Sequence, residues 1–140
     1  MIVVDTNVVS ELMRPSPSVR VLDWLRDQPG RELYTSAVTV AEVLHGIERL
    51  PAGRRREELR SAAAGVFVAF ADQVLAFDLA AAGEYALVVS HRERLGMPVE
   101  GLDAQIAAIC RVHGAALATR NVSEFRETGI EVINPWDDHS

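Results

Sequence analysis

At 140 residues with 49% hydrophobic content, the chain is long enough to bury a core of its own, and a single domain over residues 1–140 is expected. All 14 basic residues are arginine, against 20 acidic ones, for a net charge of −6; this excludes every mechanism that needs a catalytic or phosphate-binding lysine and argues against coating nucleic acid by long-range attraction alone. No apolar stretch approaches a membrane span and no basic region precedes the N-terminal apolar run, which predicts a soluble, cytoplasmic protein.

The predicted elements alternate. Ile2 to Val4 predict a strand buried on both faces, and Val8 to Met13 a short helix broken by Pro15 to Pro17. Val19, Leu22 and Leu25 follow helical spacing, and Leu33 to Ser36 predict a second strand. Val40, Leu44 and Ile47 lie at i, i+4 and i+7, so an amphipathic helix runs to about Leu50, where Pro51 and Gly53 stop it; Arg54 to Phe70 form its helical partner. A third strand is expected at Gln73 to Phe77, a helix at Ala80 to Leu95, and a loop at Met97 to Gly101. A further helix runs from Asp103 to His113 and stops at Gly114, a fourth strand spans Ala115 to Thr119, and a short fifth spans Glu131 to Ile133. The tail beyond Trp136 is expected to be loose. Strands separated by helices imply an α/β fold, with a parallel sheet covered by helices on both faces.

Four residues stand at element ends, where ligands of parallel sheets collect. Asp5 ends the first apolar run; it is either a ligand or the N-cap of the helix that follows. Glu42 lies three residues after Thr39 in a capping-box pattern. Asp103 heads a stripe with Ile106, Ala107 and Cys110; it is either an N-cap or a charge at the edge of the core that needs a partner. Asn121 follows the fourth strand, as a turn residue or a weaker ligand. Oxygen donors drawn from distant segments into one crevice would suit a hard divalent cation. His45, one turn after Glu42, is expected to be an ordinary surface group, and Cys110 a small buried apolar residue with no disulfide partner in the chain. The run Arg54-Arg55-Arg56 with Arg60 is expected to be a solvated helix face.

Taken together, Val3-Val4-Asp5-Thr6-Asn7-Val8-Val9-Ser10-Glu11, Ser36 to Val43, Leu102 to Ala107, Leu117 to Asn121 and Val132 to Trp136 resemble the PIN-domain family, and within it the VapC-type toxins of the FitB-like branch. The resemblance covers essentially the whole chain, with its motifs in order. It implies a parallel sheet of four or five strands and a magnesium- or manganese-dependent endoribonuclease inhibited by a cognate VapB-type antitoxin. By position, Asp5, Glu42 and Asp103 match the family's three principal acids, which would hold the metal and carry catalysis; Thr6 and Thr119 match polar positions that steady them. Asn121 stands where the family often has a fourth acid, so a second metal position is less supported here.

A cation held by such carboxylates lowers the pKa of a bound water and stabilises the charge of phosphodiester attack. With water as nucleophile, the products carry a 5′ phosphate and a 3′ hydroxyl. Apolar helix faces between Val40 and Phe70 predict a homodimer, and an acidic crevice should attract a basic side chain; the resemblance implies an antitoxin whose tail lays apolar residues in a groove and points an arginine or lysine toward Asp5 and Asp103. A larger hetero-oligomer with the antitoxin is compatible with this, and operator DNA would be reached only through the antitoxin. Two rival classes remain at this point. A haloacid-dehalogenase-like phosphatase would use an aspartate after the first strand, but it wants an acid where Asn7 stands and a lysine that the chain lacks. A non-catalytic PIN-like partner of an antitoxin, in a DNA-binding repressor complex, is the other.

Overall fold

The computed structural model describes residues 1–137, so the expectation for the tail concerns mainly residues 138–140, which lie outside the described residues. The β-strands are β1 (Ile2–Val4), β2 (Leu33–Ser36), β3 (Val74–Leu75), β4 (Ala116–Ala118) and β5 (Val132–Ile133). The α-helices are α1 (Thr6–Leu12), α2 (Val19–Arg26), α3 (Ala37–Glu48), α4 (Arg54–Phe70), α5 (Leu79–Arg94) and α6 (Gly101–His113). The five strands are all parallel in the order β3-β2-β1-β4-β5.

Alternation along β1 and β4 sends successive side chains to opposite faces, and each face has its own core. Val3 and Leu117 join Ala81 and Val88 of α5 and Ile106, Ile109 and Cys110 of α6. Val4 and Ala118 face the other way, onto Val8 and Val9 of α1, Trp24 of α2, Val43 and Ile47 of α3, and Ala63 and Phe70 of α4. Burial on both faces explains why the central strands are unbroken apolar runs.

Two helices present a different face from the one their spacing predicts. In α2, Val19 is exposed while Val21 and Trp24 are buried. In α3, Leu44 is exposed and the core is met by Thr39, Val43 and Ile47 at i, i+4 and i+8, one residue round from the predicted stripe. Helix starts also move. Thr6 rather than Val8 opens α1 behind Asp5, Ala37 opens α3 behind Ser36, and Gly101 opens α6 behind Glu100.

The order of strands decides where chemistry gathers. The chain runs outward from β1 to β2 and β3, then returns to the other side of β1 for β4 and β5, so the crossover direction reverses between β1 and β4. The crevice outside the carboxyl ends of two such strands is where doubly wound sheets take their ligands.

Candidate active site

Register places the first two site residues side by side. Val4 pairs with Ala118, so the next residues, Asp5 and Thr119, leave adjacent parallel strands together, and the Asp5 N–H donates to the Ala118 carbonyl at 2.9 Å. Asp5 is only 4% exposed, and both its oxygens are engaged. Oδ1 accepts from the Thr6 N–H at 2.8 Å and Oδ2 from the Thr119 hydroxyl at 2.7 Å. Asp5 therefore caps α1 and also faces the cavity, so its two readings are compatible.

The Thr119 hydroxyl has one proton and is fully committed. Its oxygen accepts from Asn7 Nδ2 at 3.1 Å and from the Asn121 N–H at 3.1 Å, which leaves its proton for Asp5. Asn7 Oδ1 in turn accepts from the Arg120 N–H at 3.2 Å. Asn7 thus ties the first turn of α1 to the exit of β4. Asn7 had no place among the site residues expected from the sequence, because its partners lie more than 110 positions away and leave no local signal.

Glu42 comes from the second turn of α3, where its Oε1 accepts from the Thr6 hydroxyl at 2.9 Å. The capping-box reading does not hold: Ser36 is the cap, its Oγ accepting from the Thr39 N–H at 3.0 Å, and this frees Glu42 to face the crevice. Asp103 is not a cap either. Glu100 takes that role by accepting from the N–H groups of Leu102 and Asp103 at 3.0 and 3.1 Å, leaving Asp103 half-buried in the first turn of α6 with no hydrogen bond to its carboxylate among the described residues. The stripe it heads, Ile106, Ala107 and Cys110, is fully buried.

All of these side chains line one open cavity of about 680 Å³: Asp5, Thr6, Asn7, Glu42, Asp103 and Asn121. Of the residues expected to form the site, only Thr119 is absent from the lining; its hydroxyl is bonded to Asp5. The rest of the lining is of another character, with Arg14, Arg55, Arg120, Trp136 and the apolar Met13, Pro15, Val43, Ile47 and Leu59. The basic run on α4 divides accordingly. Arg54 pairs with Glu58 and Arg60 with Glu48 and Glu57, as a solvated face should, but Arg55 turns to the cavity.

The electrostatics are those of crowded, half-buried negative charge. Burial raises the Asp5 carboxyl above its ordinary range, opposed by the bonds from Thr119 and Thr6. Burial likewise raises Glu42; the Thr6 hydroxyl opposes it, and the charges of Asp5 and Glu100 add to it. Asp103 is pushed up to about 7, first by burial and then by the charges of Asp5, Glu100, Glu42 and Glu124. Glu100 and Glu124 had no place in the sequence reading, yet both contribute to this field.

None of Asp5, Glu42 and Asp103 is ion-paired among the described residues, so the crevice is short of positive charge, and its donors are the oxygens that hard divalent cations prefer. Among the described residues no group of three His, Cys, Asp or Glu side chains stands close enough together to hold a metal ion as it is. Magnesium seldom needs one, since it is commonly bound through one or two carboxylates with water and substrate oxygens completing its shell. The chemistry of the lining fits such an ion, and Asp5, Asp103 and Glu42, with the neutral Asn121, are the oxygen donors that could hold it.

Comparison with known proteins agrees with the geometry. Residues 2–131 match the PIN domain family. Over 138 residues the chain is 42% identical to the VapC ribonuclease Y4jK of Sinorhizobium fredii, covering 98% of this chain and 99% of that protein. It is 36% identical to the toxin FitB of Neisseria gonorrhoeae over 139 residues, covering 99% and 100%. Among solved structures, the FitAB complex bound to a DNA fragment contains a chain that superposes with a TM-score of 0.90 at 35% identity, over the full length of both.

Proposed function

The chain belongs to the PIN-domain family, and from that premise we propose that it is the ribonuclease toxin of a VapC/FitB-type toxin–antitoxin pair, a single PIN domain over residues 1–140 that hydrolyses RNA phosphodiesters with magnesium or manganese. The observation that carries the proposal is the meeting of Asp5, Glu42 and Asp103, from β1, α3 and α6, in one cavity without a cationic partner. When bound, the cation supplies Lewis acidity toward water and phosphate.

The remaining work belongs to the chain. Thr119 and the Thr6 N–H hold Asp5 in one rotamer, the Thr6 hydroxyl holds Glu42, and Asn7 fixes the direction of the Thr119 proton, so the donors are set in place before substrate arrives. Asp103 supplies the flexible charge that answers the cation. Glu42, held through one oxygen by the Thr6 hydroxyl, would accept a proton from an attacking water.

Purified protein should cleave single-stranded RNA in magnesium or manganese, lose activity in chelator, and leave new 5′-monophosphate ends that are absent with Asp5→Asn. Cleavage that persists in chelator, or 2′,3′-cyclic phosphate products, would overturn the reading. Sequencing those ends in cells also identifies the RNA.

A cognate antitoxin and a homodimer complete the proposal. The FitAB structure contains a partner and DNA, and in this chain the acidic end of the cavity continues into the apolar strip of Met13, Val43, Ile47 and Leu59, which suits a tail carrying apolar residues and one basic side chain. With a net charge of −6, the chain would reach operator DNA only through that partner. Exposed apolar side chains at Leu44 and Val68, and at Leu79 and Leu87 of α5, support a homodimer. Among the described residues no helix is long and apolar enough to cross a membrane, in keeping with a cytoplasmic protein. A repressor-complex role is compatible with catalysis; a purely non-catalytic role is tested by the same cleavage assay.

A further inference from the structure

The basic side of the cavity holds an arrangement that metal binding does not use. The Arg120 guanidinium stands over the Trp136 ring, 4.9 Å from its centroid. Arg120 directly follows Thr119, the residue bonded to Asp5, and its N–H is anchored on Asn7, so its main chain is fixed beside the carboxylates. Trp136 is fixed as well: it packs against the core cluster on the α1–α4 side of the sheet, its N–H donates to Asn134 Oδ1 at 2.9 Å, and its carbonyl accepts from Arg20 at 3.0 Å. Arg120 is exposed, and among the described residues neither it nor Arg55, which lines the same cavity, forms an ion pair.

Resting on the ribonuclease reading, we infer that Arg120, backed by Trp136, is a stacking platform for one unpaired RNA base beside the scissile phosphate, with Arg55 taking a flanking phosphate. Guanidinium planes and aromatic rings are the surfaces on which splayed single-stranded bases stack, and a cation–π contact beneath the guanidinium limits its freedom. The rim charge favours RNA over the tail of a basic peptide, since Arg55 and Arg120 attract phosphates and repel basic side chains. Duplex RNA cannot offer the base, so it should be a poor substrate.

The test crosses protein variants with single-base deletions in the substrate. An RNA octamer that the wild type cleaves is prepared with an abasic nucleotide at each position in turn, and KM and kcat are measured for wild type, Arg120→Lys, Arg120→Ala and Trp136→Ala. One abasic position next to the cut should raise the wild-type KM about tenfold with kcat within about twofold, a loss in the range of one stacked base. Arg120→Ala and Trp136→Ala should each raise KM by a similar factor, and the abasic change should add nothing further in Arg120→Ala. Arg120→Lys, which keeps the charge without the plane, should behave nearly as Arg120→Ala. Trp136→Phe serves if Trp136→Ala melts early, and its KM should lie between those of wild type and Trp136→Ala.

Equal sensitivity of wild type and Arg120→Ala to every abasic position, or wild-type KM in Arg120→Lys, overturns the platform while leaving the ribonuclease standing. Fluorescence anisotropy of the end-labelled octamer in chelator covers the converse. If the protein cleaves nothing, weaker binding by Arg120→Lys still supports the platform, and equal binding or none rejects it. If the substitutions weaken only antitoxin binding, the site belongs to the protein partner and the inference is wrong.

Discussion

Asp5 and Asp103 line the same cavity, yet the more deeply buried of the two is not the one driven up to about 7. Asp5 leaves the water almost completely, but the Thr119 hydroxyl and the Thr6 N–H return part of the lost solvation. Asp103 is only half-buried, receives no hydrogen bond on its carboxylate among the described residues, and feels four other acids. Donors decide the outcome, because fixed hydrogen bonds to a carboxylate favour its charged form and oppose the rise that burial causes. One acid is thus a fixed reference for the site, and the other is the part that responds when charge arrives.

The largest effect treats the two acids alike. Asp5→Asn and Asp103→Asn should each lower single-turnover RNA cleavage by roughly three orders of magnitude, as expected when several kcal/mol of charge stabilisation are lost. Retention of near-wild-type rates by Asp103→Asn would remove it from the site.

Next is the rigidity of Asp5. Asn7→Ala removes one of the two donors that orient the Thr119 hydroxyl toward Asp5, so manganese affinity, read by calorimetry, should fall about 10- to 100-fold, the range seen when a ligand's supporting bond is lost. Unchanged affinity would mean that Thr119 holds Asp5 without help.

Stability without metal should separate the two acids. The Asp103 pKa is raised from 3.8 when unfolded to about 7 when folded, so the folded state binds the proton more tightly, and stability falls as pH rises from about 4 through 7 and is level above. Discounting for the solvent that screens a half-exposed group, the penalty at pH 8 is about 1 kcal/mol, or roughly 4 °C in Tm. In chelator at pH 8, Asp103→Asn should therefore melt higher than wild type and show a flatter pH profile, whereas Asp5→Asn, which disturbs two fixed hydrogen bonds, should not. A lower Tm for Asp103→Asn would reverse the comparison.

The smallest effect lies at the edge. Asn121 is exposed at the cavity and donates only its main-chain N–H to Thr119, so Asn121→Asp should tighten manganese binding a few-fold, since ligand charge is one determinant of affinity, and should lower Tm slightly in chelator. If neither moves, Asn121 is only the turn residue after β4.

Much of this was legible in the sequence, for definite reasons. Central strands buried on both faces must be apolar runs, so Ile2 to Val4 and the residues around Leu117 marked the middle of the sheet, and the acid at the end of β1 marked the crevice. Helix phase was less visible. In α3, Leu44 and Val43 are both apolar neighbours, and only the packing of α1 and α4 decides that Val43 goes inward. Capping was ambiguous where several competent residues stood in line: Ser36 and Thr39 at the start of α3, Glu100 and Asp103 at α6. Arg55 differs from its neighbours in the basic run by which way it faces, which composition does not encode.

The central position of β1 also bears on synthesis. Asp5 is made early, but the hydroxyl that steadies it is 114 residues downstream, and β4 must be made before β1 gains its second neighbour. A chain emerging from the ribosome with its first half complete carries the aspartate without the site, as expected for a topology whose key pairings are distant in sequence. The crevice would therefore be complete only near the end of translation.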